Sequence, residues 1–267
     1  MSWLEFLQIP VFQRALLASF IAGSTLALMG TVVIQFQLTT IRFALMHIAL
    51  LGGAIGMLLG TEPIYGAMVA IIAGSLLFGP FSSWFRMEAA VTGAFFMTGS
   101  LAIALALFYV AKVPAMEVFS LFTGSVLTLT DMDLWLLAGS GAIILMVFLV
   151  AYREIQLIFF DPAFAAALGI PVTRLQHLLL FLTGISIGLA LKLVGALLID
   201  ALVLLPAMAA GRIASGFRSL LFLTVLFGVL TCTGGFMASI VLDLPTGATI
   251  TMTGVLLLAG TLFVRSK

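Results

Sequence analysis

Asp200 and His47 are side chains that ionise and bind metals, yet both stand inside long apolar runs. Asp200 occupies the middle of Leu197-Leu198-Ile199-Asp200-Ala201-Leu202-Val203, and His47 stands in Phe43-Ala44-Leu45-Met46-His47-Ile48-Ala49-Leu50-Leu51. An ionisable group at membrane depth is costly unless it is paired or used, so both are candidates for function. Three roles are open to them: a structural pairing with each other or with backbone, ligation along a substrate path, or a proton relay. A carboxylate and an imidazole together suit zinc, manganese or iron(II). Met46 adds a thioether that can ligate a soft ion or simply pack. Two donors do not make a tight site, but a conduction site has to release its ion, so incomplete coordination is physically sensible. In the ligating role a divalent metal would be cargo that passes these donors, and no cofactor bound by the chain is expected.

Catalytic chemistry is missing. No Gly-x-x-x-x-Gly-Lys-Ser/Thr loop occurs, so the chain does not hold ATP in that way and does not itself couple hydrolysis to transport. No His-Glu-x-x-His motif or nucleophile elbow is present either, and no catalytic residue is predicted. The single cysteine, Cys232, forbids an internal disulfide.

The elements that hold Asp200 and His47 follow from composition. Of 267 residues, 63% are hydrophobic and 8% charged, with a mean hydropathy of +1.34. Soluble domains carry about 45–50% apolar and about 25% charged residues, so a soluble enzyme is excluded. A net charge of +1 offers no basic face for nucleic acid. A bilayer span needs roughly 20 apolar residues. The reading is an all-α polytopic transmembrane bundle in contact with membrane lipids, a single transmembrane domain over 1–267 with about eight or nine spans. They fall at 11–36, 43–60, 62–83, 89–111, 134–152, 177–192, 194–211, 219–242 and 248–265. The pair at 177–192 and 194–211 is short and nearly fused, the pattern of broken helices, which membranes tolerate only inside protein or along a cavity. A short interfacial helix is expected within 113–132.

Alternating the spans places Arg42, Arg86, Arg153, Arg174, Arg212, Arg218, Arg265 and Lys267 on one face, eight of the eleven basic residues. By the positive-inside rule this face is cytoplasmic. The N-terminus is then outside and the C-terminus inside, and Asp131, Asp133 and Asp243 lie on the outer face.

The longest polar break, 153–176, falls on the cytoplasmic face. Within it Asp161-Pro162 reads as an N-cap followed by proline at the first helical position, and Gly169 and Pro171 are stop signals. A short Ala-rich helix over about 162–168 is expected, either as a plain connector or as a docking helix whose Phe164 and Leu168 fill a groove on a cytoplasmic partner.

Several segments in order then resemble the membrane permeases of bacterial ABC transporters for zinc, manganese and iron(II), the ABC-3 family. They are Gly30 with Thr31 to Ile34, Ala44 to Gly52, Leu121-Phe122-Thr123-Gly124-Ser125, Phe160-Asp161-Pro162 through Ala165, Leu168 to Val172, Lys192 to Ala207, and Leu242 to Ala248. The resemblance implies an importer of the bacterial plasma (inner) membrane with a path at a homodimer interface, two separate cytoplasmic ATP-binding-cassette ATPase subunits and an extracytoplasmic solute-binding protein. It implies that Phe160, Asp161, Pro162, Ala165 and Gly169 couple to the ATPase, and that the outer acids Asp131, Asp133 and Asp243 receive the binding protein. His47, Asp200 and Met46 are the expected path residues. The family signature carries an aspartate four residues before its histidine, where this chain has Phe43; Asp200 on another span is the expected substitute. An ABC permease for another small ligand, and a proton-coupled secondary transporter using Asp200 and His47, remain open.

Overall fold

The computed structural model describes residues 9–113, 129–195 and 199–263. Apolar runs bounded by proline, glycine and left-handed caps form the helices α1 (Pro10–Gln35), α2 (Thr39–Leu58), α3 (Pro63–Phe85), α4 (Ala89–Val110) and α5 (Asp131–Val150). There follow α6 (Tyr152–Phe160), α7 (Pro162–Ala167), α8 (Val172–Val194), α9 (Ile199–Ile213), α10 (Phe217–Leu242) and α11 (Thr246–Leu262). No strand occurs among the described residues. Seven of these helices are long and apolar enough to cross a membrane, and α9 and α11 are shorter apolar helices. With about 1.5 Å of rise per residue, the 17 residues of α11 reach about 26 Å, close to the hydrocarbon thickness of about 30 Å.

The chain divides into two compact units built from interleaved segments. The first contains residues 9–31, the start of α5, the end of α8, and α9 to α11; the second contains α2 to α4, α6, α7 and the flanking parts of α1, α5 and α8. In the first unit α9, α10 and α11 pack on one another. In the second, α2 packs on α3 and α4. Glycine permits the closest approaches. A Cβ on Gly52 would fall on the Gly66 carbonyl oxygen, so α2 and α3 touch backbone to backbone there. In the first unit a Cβ on Gly30 of α1 would likewise fall on the Val203 carbonyl of α9.

Two sequence expectations need correction, and the burial of Arg42 is a feature the sequence did not show. The span expected at 177–192 is a full helix, 23 residues from Val172, because Arg174, Gln176 and His177 extend it in polar letters beyond the apolar run. The break after it does exist: Gly195 has φ +78 and α9 begins at Ile199. The polar stretch after α5 is helical rather than loop, since α6 fills 152–160 before α7 begins. Arg42, counted as an orienting residue at a span end, sits in the first turns of α2 and is buried at 1% exposure. The expected interfacial helix falls mainly on 114–128, outside the described residues, and Asp131 already opens α5.

Candidate functional site

Helix α2 carries Met46 and His47. Its buried face includes Leu45, Met46, Ala49 and Gly53, while Phe43 and Ile55 are exposed and His47 is half-buried. Residues 43, 47, 51 and 55 recur every four positions and line one side of the helix. His47 Nδ1–H donates to the Phe43 carbonyl oxygen at 2.7 Å. A carbonyl only accepts, so the neutral ring keeps its lone pair on Nε2. In that tautomer Nε2 is the ring nitrogen with a lone pair that can accept a proton or ligate a metal. Met46 is placed differently. Its Sδ lies 4.0 Å from Arg42 Nη1, which donates to it, and the Arg42 guanidinium also lies 4.4 Å from the centroid of the Phe43 ring. A thioether facing a guanidinium is a poor ligand for a second cation. Arg42 is thus part of this site, and its apolar surroundings gave no sign of it.

Asp200 lies in the first turn of α9, and its side chain is outside the described residues; so is that of Lys192 in α8. Among the described residues no group of three or more His, Cys, Asp or Glu is placed to hold a metal. The described acids of the second unit stand at helix ends or in α6: Glu62, Glu88 and Asp161 are N-caps of α3, α4 and α7, and Glu154 is in the first turn of α6.

The short helix expected over about 162–168 forms as α7. Asp161 Oδ1 accepts from the backbone N–H groups of Ala163 and Phe164 at 2.9 and 3.0 Å, and Pro162 opens the helix. It ends in a Schellman turn: Gly169 has φ +83, its N–H donates to Ala166, and the Ile170 N–H donates to Ala165. Ala165 is fully buried, whereas Phe160, Phe164 and Leu168 are 88%, 52% and 57% exposed. The apolar rim therefore faces outward from a segment pinned at its centre. Helix α6 supplies the support, burying Ile155, Ile158 and Phe159. That i, i+3, i+4 pattern is visible in the sequence behind Arg153, Glu154 and Gln156.

The three acids expected on the outer face each have a local contact or backbone role. Asp131 pairs with Arg14 at 2.7 Å in the first unit. Asp133 and Thr130 form a reciprocal capping box: Asp133 Oδ2 accepts from the Thr130 N–H at 2.8 Å, and Thr130 Oγ1 accepts from the Asp133 N–H at 3.3 Å. Asp243 is the left-handed C-cap of α10, with φ 51. All three residues remain at helix ends, and Asp131 and Asp243 are exposed.

Seven described helices long and apolar enough to cross a membrane, with a capped, apolar-rimmed short helix between two of them, define a polytopic membrane protein. The model of the ABC 3 transport family matches residues 8–265, and the chain belongs to that family. It is 27% identical to the manganese transport system membrane protein MntC of Halalkalibacterium halodurans, over 98% of this chain and 90% of that one. It is 26% identical to the manganese import system permease protein ScaB of Streptococcus parasanguinis, over 97% and 92%. Among solved structures it superposes on PsaBC from Streptococcus pneumoniae in complex with Fab with a TM-score of 0.84 at 25% identity, covering 98% of this chain and 95% of that one.

Proposed function

We propose that this chain is the membrane permease of an ATP-driven importer for divalent transition metals, with manganese the first cargo to test. The observation that carries the reading is the capped helix α7 with its exposed Phe160, Phe164 and Leu168, a surface built to receive another protein between two spans. The names of the manganese relatives support the cargo class. In this reading α6 and α7 face the cytoplasm and dock on separate ATPase subunits, with Phe160, Asp161, Pro162, Ala165 and Gly169 forming or shaping the contact. A solute-binding protein delivers the metal at the opposite face, near Asp131, Asp133 and Asp243. Two copies enclose the path, and the termini lie on opposite sides of the plasma membrane.

His47 Nε2 is the path donor on α2, Asp200 supplies the carboxylate that Phe43 does not, and Met46 steadies the turn through Arg42. The cargo crosses by alternating exposure of these donors, with no covalent step on this chain. The test is ATP-driven uptake of Mn²⁺ and Zn²⁺ by the complex in proteoliposomes, with His47→Phe and Asp200→Asn beside the wild type. Each substitution is expected to lower uptake while leaving the ATPase subunits bound. Loss of those subunits from the wild-type chain in mild detergent overturns the importer reading; full uptake by Asp200→Asn in an intact complex removes Asp200 from the path.

A further inference from the structure

We infer that Gln35 is a positioning residue that ties the docking segment α6–α7 to α2, the helix that carries His47. The inference rests on the docking role proposed above. Gln35 is the last residue of α1, and its side-chain Nε2–H donates to the main-chain carbonyl oxygen of Phe159. That carbonyl belongs to the last turn of α6, where helix carbonyls lack intrahelical donors. A second, independent contact joins the same two places: the rings of Phe36 and Phe159 meet edge to face, with centroids 5.2 Å apart at 83°. Phe159 itself is 8% exposed and stands two residues before Asp161, the cap of α7.

On its other side Gln35 is joined to α2 by a closed corner. Gln37 has φ 53, the Leu38 N–H donates to Val33 at 2.8 Å, and the Gln37 N–H donates to Ile34 at 3.1 Å. The Arg42 N–H then donates to the Leu38 carbonyl at 2.9 Å. A corner held by these bonds cannot lengthen without breaking one of them. A displacement of α6 therefore passes through the Phe159 carbonyl and ring to residues 35–38 and on to the first turn of α2. His47 stands about two turns further along that helix. All these contacts lie within the second unit. A loop that merely connected two spans would not need a side-chain bond and an aromatic contact to a site 124 residues away.

The test uses the complete complex in proteoliposomes and reads Mn²⁺ moved per ATP hydrolysed, with Zn²⁺ as a second probe. Gln35→Glu keeps the shape but, as an ionised carboxylate, has no hydrogen to donate. It is expected to lower the metal-to-ATP ratio about fivefold, the factor of one ordinary hydrogen bond, with hydrolysis and melting temperature retained. Gln35→Lys, which restores a donor, is expected to recover most of the ratio, and Phe36→Leu to lower it less than Gln35→Glu. A wild-type ratio in Gln35→Glu overturns the inference. So does a parallel fall in uptake, hydrolysis and complex yield, which would make the contact a folding brace. If the wild-type complex shows no ATP-driven uptake, the docking reading fails with it, and that result is read before any variant is made.

Discussion

Replacing Asp161 by Ala should loosen α7 without unfolding the bundle. The six-residue helix Pro162–Ala167 is too short to stand alone, since isolated helices below about 12–15 residues are marginal in water. Its described anchors are the buried methyl of Ala165, the Schellman turn at Gly169 and the Asp161 carboxylate, which accepts two backbone N–H groups at 2.9 and 3.0 Å. Removing an N-cap acceptor typically costs about 0.5–2 kcal/mol. A carboxylate accepting two bonds at a helix N-terminus belongs in the upper part of that range, about 1–2 kcal/mol. Because Phe164 and Leu168 are more than half exposed, little core packing resists the opening. The local opening equilibrium should therefore rise by about 5- to 30-fold, while global stability moves far less. Hydrogen exchange of the Ala163 to Ala167 amides, followed by mass spectrometry in detergent, reads this directly. Asp161→Asn, which keeps an acceptor, should exchange nearly as slowly as the wild type. Unchanged exchange in Asp161→Ala would refute the cap as the element that holds α7, and acceleration spread over all helices would refute its independence.

Gly52→Val should destabilise the α2–α3 contact by about 1–3 kcal/mol, because its Cβ meets the Gly66 carbonyl carbon at 2.8 Å as well as that group's oxygen; Gly99→Ala, with nothing within 4 Å of a built Cβ, should be neutral or better, and equal melting temperatures for the two variants would contradict the packing. Asp131→Asn should cost no more than about 1 kcal/mol of stability, since its pair with Arg14 is 66% and 41% exposed on the two sides. If Asp131 also receives the binding protein, the same variant should weaken that binding at low ionic strength and lose the difference at high salt, as measured by surface binding to the reconstituted complex.

The spans were legible because a bilayer demands a composition as well as a shape. The runs expected at 11–36, 89–111 and 219–242 differ from Pro10–Gln35, Ala89–Val110 and Phe217–Leu242 by at most two residues at an end. Hydropathy reads the membrane rather than the helix, which is why α8 begins at Val172 and not at 177, and why α6 lies outside the expected spans although Ile155, Ile158 and Phe159 recur at helical spacing. The Asp161 cap was legible because its donors lie two and three residues away. The bond from Gln35 to Phe159 was not, since it joins residues 124 positions apart and exists only once the second unit has folded. Arg42 lies in the first turn of α2, as a guanidinium at the edge of an apolar run suggests, and only packing reveals that it is buried beside Phe43 and Met46.

The sparse donor set on α2 fits the proposed conduction role better than a complete cage would. A closed transition-metal site with nanomolar affinity, loaded at about 10⁸ per molar per second, would release its ion at about 0.1 per second. That is too slow for a path that must empty at every cycle. A micromolar site loaded at the same rate empties about a thousand times faster. One imidazole whose Nδ1 is committed to the Phe43 carbonyl presents a single nitrogen, and a carboxylate from Asp200 would raise the count to two per copy. In the proposed reading such a site lowers the barrier for a partly hydrated ion without trapping it. Discrimination among metals then falls mainly to the binding protein that delivers the cargo, while this chain contributes passage and coupling. Enlarging the donor set on α2, for example by Phe43→Asp, should therefore raise metal affinity and slow turnover together, and a variant that binds more tightly yet transports as fast would refute that trade-off.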